Sequence, residues 1–265
     1  MKIGFIGGGN MAEALIKGIT SRGTRGIMVS DPNEDRRRYL GDAYGVVTTP
    51  SNREVALACD IIILAVKPQN IDDVTSEISG AVTGEKTVVS VAAGITLSRL
   101  SSRLKAGKLI RAMPNTPALV QKGTTVLSLC ECSSDNGTMA VRDIFMSVGE
   151  VMTLPEKYMD AVTAVSGSGP AFLAYFIECM IEAGEKLGLA AGDARILAVQ
   201  TAVGTAHLLD SGMSPSRLRE MVTSPGGTTA AGLKALDNKG FRDAIAAALE
   251  AAMARSRELG ASRHA

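Results

Sequence analysis

Between Met221 and Asp237 the chain reads Met-Val-Thr-Ser-Pro-Gly-Gly-Thr-Thr-Ala-Ala-Gly-Leu-Lys-Ala-Leu-Asp, residue types suited to gripping an anion. Pro225, Gly226 and Gly227 cannot prolong a helix, so the backbone must turn there. Thr228 and Thr229 then lead into Ala230, Ala231, Leu233, Ala235 and Leu236, which predicts a helix start with a hydroxyl at its cap. A glycine loop feeding a helix N-terminus offers unpaired N–H groups and a positive dipole end, which together hold a carboxylate. The threonine hydroxyls beside it can donate neutral hydrogen bonds. An ordinary helix–turn–helix uses the same loop chemistry, so this stretch needs support from elsewhere in the chain.

That support lies at the front. Lys2 to Ile6 is a short apolar strand running into Gly7-Gly8-Gly9-Asn10-Met11-Ala12, which fits G-x-G-x-x-A. Met11, Ala14, Leu15, Gly18 and Ile19 follow at helical spacing, Gly23 stops the helix, and Ile27 to Ser30 is a second strand. The motif is weak alone but gains force between a strand and a helix. Gly7 permits the tight turn, Gly9 lets the backbone approach a pyrophosphate, and Ala12 keeps helix and sheet close. Asp31 ends the second strand, where an acid bonds the adenosine ribose of NAD. Arg36, Arg37 and Arg38 could instead meet the 2′-phosphate of NADP or form a solvated helix face, so NADPH and NADH both stay open as the cofactor.

Strand and helix patterns keep alternating behind these motifs. Ile61 to Val66 is an uninterrupted apolar run, expected of a parallel strand buried on both faces, and Lys67-Pro68 caps its ligand-binding end. Further strands are expected at Thr87–Val91, Leu109–Ala112, Thr124–Leu129 and Val151–Leu154, with helices between them. The fold expected is therefore α/β, an N-terminal Rossmann-type, doubly wound, mostly parallel sheet over residues 1–156. From 157 to 265 only helical pattern remains, interrupted at Ser166-Gly167-Ser168-Gly169-Pro170-Ala171. So much apolar helix with few aromatics would struggle to bury itself alone, which points to an all-helical C-terminal dimerisation domain.

Composition narrows the partners. A net charge of +1 leaves no electrostatic footprint for nucleic acid or a membrane surface, and aromatics at 3% with no Trp supply no base-stacking platform. A small-molecule substrate, another copy of the chain, or both remain. No apolar run reaches membrane-spanning length on this reading, and the glycine run begins too early to leave room for a signal peptide. Cys59, Cys130, Cys132 and Cys179 lack Cys-x-x-Cys spacing, and Cys130 and Cys132 look too far apart along a strand to pair, so all four are expected as thiols of a cytoplasmic protein. His207, on an apolar helix, and His264, in the tail, give no metal site.

Taken together, these motifs closely resemble those of the pyrroline-5-carboxylate reductase family over essentially the whole chain. The resemblance rests on the N-terminal Phe-Ile-Gly-Gly-Gly-Asn-Met-Ala, Ala65-Val66-Lys67-Pro68, Val91-Ala92-Ala93-Gly94, Met113-Pro114-Asn115-Thr116-Pro117, the Ser166–Ala171 break and the Thr223–Asp237 stretch. It implies reduction of L-1-pyrroline-5-carboxylate to L-proline with NADPH or NADH, the final step of proline biosynthesis, in a homodimer built through C-terminal helices and often assembled into a ring of dimers. Cofactor contacts would fall on Gly7, Gly8, Gly9, Asn10 and Met11, on Ser30 and Asp31, on Asn52 near the ribose, and on Ala65, Val66, Lys67 and Pro68. Met113, Pro114 and Asn115 would line the hydride-transfer pocket. Ser224, Gly226, Gly227, Thr228 and Thr229 would hold substrate, with Thr229 at the ring nitrogen and Ser224 helping.

Two other functions are weighed against this one. A β-hydroxyacid dehydrogenase shares the two-domain plan but uses a lysine on the first long helix after the sheet, and Ser166 to Glu185 contains none. A non-catalytic NAD(P)-sensing regulator would need only the first half, not the loop before Thr229.

Overall fold

Ile61, Ile62, Ile63 and Leu64 are all buried, and a strand apolar on both faces needs a layer of helices on each side. The computed structural model of the chain describes residues 1–130 and 135–261 and supplies those layers. The strands are β1 (Ile3–Ile6), β2 (Ile27–Ser30), β3 (Val47–Thr49), β4 (Ile61–Leu64), β5 (Thr87–Ser90), β6 (Lys108–Met113), β7 (Gly123–Leu129) and β8 (Gly149–Thr153). The helices among them are α1 (Asn10–Ser21), α2 (Glu34–Tyr44), α3 (Asn52–Ala58), α4 (Ile71–Ile78), α5 (Leu97–Ser101) and α6 (Asp135–Met146).

The described residues form one eight-stranded sheet in the order β3-β2-β1-β4-β5-β6-β7-β8. Its pairs are parallel except β6 with β7, where Ile110 faces Leu129 and Met113 faces Val126. Strand order reverses between β1 and β4, and there the Gly7 N–H donates to the Ser30 carbonyl and the Ala65 N–H to the Ile6 carbonyl, each at 2.8 Å. A crevice opens at such a switch point because the chains leaving the two strands diverge to opposite faces.

Side-chain alternation divides the core in two. Ile3 and Phe5 pack with Leu15, Ile16 and Phe145 on one face of the sheet, whereas Ile6 joins Ile62, Leu64, Ile71 and Ile78 on the other. Local chemistry sets the helix ends. Asn33 accepts from the Arg36 N–H at the start of α2, which stops at a left-handed Gly45, and Ser51 and Thr96 cap α3 and α5 in the same way.

Beyond β8, α7 (Met159–Val162) passes through a π turn at Thr163–Gly167 into α8 (Gly169–Lys186). Then follow α9 (Ala191–Asp210), α10 (Pro215–Met221), α11 (Thr228–Asn238) and α12 (Phe241–Ala261). The chain divides into two compact units, one from Met1 to Ser168 joined by the residues from Ala251 onward, the other Gly169–Glu250.

Within the first unit the end of α12 is closely seated. Gly94 has φ +77°, and a Cβ there would stand 2.7 Å from the Ser256 carbonyl oxygen and 2.8 Å from the Gly260 amide nitrogen. Arg111, 4% exposed, pairs with Glu156 and Asp160 at 3.3 Å each, and the buried Ser256 hydroxyl donates to Asp160 at 2.8 Å. The two carboxylates satisfy a guanidinium that would otherwise be costly to bury, and Ser256 in turn holds one of them in place.

The second unit is helical throughout and poorly covered on its own. No residue of α8 is buried, and only Ala194 and Ala198 of α9 are. Leu173, Tyr175, Ile196 and Leu197 are each more than half exposed, and Phe176 and Phe241 meet at 6.1 Å between ring centroids. His207 lies exposed on α9.

The fold departs from the sequence expectations in the helical region and at one cysteine. The helical stretch Glu156–Lys186 is long and apolar enough to cross a membrane by length and composition. The sequence reading stopped it at the Ser166–Ala171 break, which the π turn bridges. Among the cysteines, Cys59 and Cys179 are free, but Cys130 is disulfide-bonded. The expectation of a thiol there assumed extended geometry past Leu129, where β7 ends; Cys132 and His264 lie outside the described residues.

Candidate active site

The crevice at the β1/β4 switch point is a cleft of about 680 Å³. Its walls include Gly7, Gly9, Asn10, Met11, Asp31, Ala65, Val66, Lys67, Pro68, Met113, Pro114 and Asn115 from among the residues expected at the cofactor. Gly8, Ser30 and Asn52 are not among them. Ser30 donates to the Asn52 amide oxygen at 2.8 Å, and the Asn52 NH2 group donates to Glu77 at 2.7 Å, so both side chains are occupied with their neighbours. Gly8 presents its peptide to other groups, its N–H donating to Asp31 at 2.8 Å and its carbonyl accepting from Arg36 at 2.5 Å.

Gly7 and Gly9 do different things. Gly7 sits at φ +94°, and a Cβ would lie 2.7 Å from the Ala65 carbonyl oxygen, so the protein itself demands glycine there. Gly9 is in ordinary extended geometry at the N-cap of α1, with no side-chain cap bond, and its Cβ position meets nothing within 4 Å. Its bareness leaves room in front of a helix N-terminus whose first amides are uncapped. That is the shape a pyrophosphate needs, and the residues present fit a bound dinucleotide.

Lys67 and Asp31 are the charged residues on the cleft wall. Small and apolar residues also line it: Val91, Ala92 and Ala93 after the end of β5, then Met113 and Pro114. Asn115 is fixed there, its amide oxygen accepting the Thr124 N–H at 2.8 Å. Pro32, Asn70, Thr116 and Gly167 also line the cleft, beyond the residues expected at the cofactor. Gly167 has a visible cause, since a Cβ there would stand 2.5 Å from the Met113 methyl carbon. Its signal was the Ser166–Ala171 break, which reads as a helix restart.

Beside the glycine loop, Glu13 on α1 receives three hydrogen bonds, from Arg36 at 2.5 Å, Tyr39 at 2.8 Å and Tyr44 at 2.9 Å. Burial alone would raise its carboxyl, but these bonds and the Arg36 charge outweigh it and hold Glu13 below the usual carboxylate range. Burial, then the Glu13 carboxylate, push the Tyr44 phenol upward.

The loop in the second unit differs from expectation at its cap. Helix α11 begins at Thr228 with Gly227 as N-cap, and no side chain bonds its first amides. The physical reason is the turn before it: Gly226 is left-handed at φ +70° and the Gly227 N–H bonds the Ser224 carbonyl at 3.0 Å, so the cap falls on Gly227 and not on a threonine. A Cβ on Gly227 would collide with the Ser224 hydroxyl. Among the described residues the hydroxyls of Ser224, Thr228 and Thr229 make no hydrogen bond to the protein, and the helix end they border is open to an anion. No group of three or more His, Cys, Asp or Glu able to hold a metal occurs among the described residues.

Two family models match the chain. Residues 156–259 match the family model for pyrroline-5-carboxylate reductase dimerisation, and residues 2–94 match one described as NADP oxidoreductase, coenzyme F420-dependent. The pyrroline-5-carboxylate reductase of Synechocystis is 41% identical over 264 residues, covering 98% of both chains. The solved structure of the enzyme from Coxiella burnetii superposes with a TM-score of 0.90 at 37% identity, over 97% of this chain and 98% of that one. That of Plasmodium falciparum pyrroline carboxylate reductase with NADP bound gives 0.88 at 32% identity, over 98% of each.

Proposed function

Because the chain belongs to the pyrroline-5-carboxylate reductase family, we propose that it reduces the C=N bond of L-1-pyrroline-5-carboxylate to give L-proline, the last step of proline biosynthesis. The observation that carries this reading is the open N-terminus of α11, with its amides and the Ser224, Thr228 and Thr229 hydroxyls left unspent by the protein. When bound, NAD(P)H supplies the hydride that adds to the imine carbon, which becomes C5 of the proline formed. Every other task falls to groups of this chain.

The substrate carboxylate rests on the amides of Gly226 and Thr228, assisted by the Ser224 hydroxyl, while the Gly227 N–H stays on the Ser224 carbonyl and holds the turn. Thr229 bonds the ring nitrogen, orienting the protonated imine and then the amine it becomes. A protonated imine is already electrophilic, so no strong side-chain base is required, and positioning with exclusion of water does most of the work. Gly7, Gly9, Asn10 and Met11 cradle the pyrophosphate, and Ala65 to Pro68 with Met113 to Asn115 surround the nicotinamide half. In functional terms residues 1–156 hold the cofactor and residues 157–265 hold substrate and partner. The exposed apolar faces of α8 and α9 support a homodimer closed through the helical region, with a ring of such dimers in the cytoplasm as the working form.

The test is oxidation of NADPH or NADH on adding pyrroline-5-carboxylate, which a coenzyme-sensing protein would not catalyse; a panel of hydroxyacids should give no turnover. Thr229→Val should lower kcat by about 10- to 100-fold, the loss of one transition-state hydrogen bond, and leave the dissociation constants of both coenzymes unchanged. Unchanged turnover would remove Thr229 from the mechanism.

A further inference from the structure

Three arginines follow the second strand, and the structure shows where each is committed. Arg36 gives its Nε to the Gly8 carbonyl and its Nη2 to Glu13, both at 2.5 Å, with its guanidinium 5.2 Å from the Tyr39 ring centroid. Arg37 donates Nη1 to the carbonyls of Asp31 and Pro32 at 2.7 and 3.0 Å. Arg38 pairs with Glu34 and Asp35 on the exposed side of α2. None of the three lines the cleft, whereas Asp31 does. The Asp31 carboxylate is itself fixed, accepting from the Gly8 N–H at 2.8 Å and from the Asn33 N–H at 2.9 Å.

Each Asp31 oxygen keeps acceptor capacity after these bonds, so a ribose diol reaching it would find a preorganised acceptor. A 2′-phosphate in the same place brings about two negative charges at neutral pH. It would meet a fixed carboxylate, with Arg37 spent on the Asp31 and Pro32 carbonyls and Arg38 on Glu34 and Asp35. Arg36 already touches the glycine loop through the Gly8 carbonyl, but its remaining hydrogen bond is committed to Glu13. The two tyrosines that also bond Glu13 keep that carboxylate in place.

We propose that this chain selects NADH over NADPH, with Asp31 as the direct discriminator and Glu13 as a positioning residue that holds Arg36 away from a 2′-phosphate. Its catalytic arm rests on the reductase reading above; its binding arm does not.

The experiment measures calorimetric dissociation constants of NADH and NADPH for the purified full-length protein, together with kcat/KM for pyrroline-5-carboxylate with each coenzyme. Wild type should bind NADH at least about 10-fold more tightly, the discrimination expected when one ligand places like charges in contact. Asp31→Ser should abolish that preference. Adding Glu13→Gln, which keeps an acceptor for both tyrosines, should improve NADPH binding by a further ~10-fold through the released Arg36 while leaving NADH where it was. The proposal is overturned if wild type binds NADPH as well as NADH, or if Glu13→Gln changes both coenzymes by the same factor. The wild-type comparison decides the main claim even if a variant fails to fold. Selective NADH binding without turnover would sink the reductase reading and leave this one standing.

Discussion

Gly9→Ala separates what the fold needs from what the ligand needs. At Gly9 the backbone has φ −68° and ψ −175°, which alanine adopts freely, and the added methyl meets nothing within 4 Å. Loss of unfolded-state freedom favours the variant by about 0.4–1 kcal/mol. Alanine is a poorer N-cap than glycine, which offsets a similar amount. Stability should therefore stay within ~1 kcal/mol of wild type. Binding should not. A methyl in front of the first α1 amides pushes a pyrophosphate back and weakens one or two charge-assisted bonds worth about 1.5–3 kcal/mol each. The dissociation constant for NADH should rise about 10- to 100-fold. Stability is read by urea denaturation followed by circular dichroism, since the chain has no Trp, and affinity by calorimetry. Gly7→Ala is the opposite case, losing ~2–5 kcal/mol from its left-handed φ and its approach to the Ala65 carbonyl. Wild-type NADH affinity in a folded Gly9→Ala protein would refute a pyrophosphate at this helix end.

Two further outcomes test the packing. Gly94→Ala should cost about 2–4 kcal/mol in urea denaturation, because alanine disfavours φ +77° and its Cβ presses on main-chain atoms of Ser256 and Gly260 that cannot rotate away; unaltered stability would mean that α12 is not seated there. Leu173→Glu with Ile196→Glu places charge on the exposed apolar faces of α8 and α9 and should weaken self-association by at least about 100-fold in sedimentation, whereas an intact dimer would move the interface elsewhere.

What could be read from residue types was whatever depends on neighbours along the chain. Ile61 to Leu64 announced a strand covered on both faces, and Lys2 to Ala12 announced a strand, a turn and a helix, because turn chemistry and apolar periodicity are local. Contacts across long separations were out of reach. Nothing near Ser256 or Gly260 signals that α12 returns to Asp160 and Gly94, and nothing in Arg36, Arg37 and Arg38 says which faces Glu13. Thr228 and Thr229 suggest a hydroxyl cap because threonine caps helices well, but after the left-handed Gly226 the cap falls on Gly227. Asn52 shows the same limit from the other side: its type suits a ribose, yet Ser30 and Glu77 already occupy its amide.

The return of α12 to the sheet also orders events at the ribosome. Residues up to Ser168 emerge early, but the groove above Gly94 is filled only by residues that follow all of Gly169–Glu250. Until then the Arg111 guanidinium lacks the Ser256 hydroxyl that completes its carboxylate partner. The sheet unit of this chain is therefore finished last, not first, and a nascent chain stalled within Gly169–Glu250 would carry it incomplete.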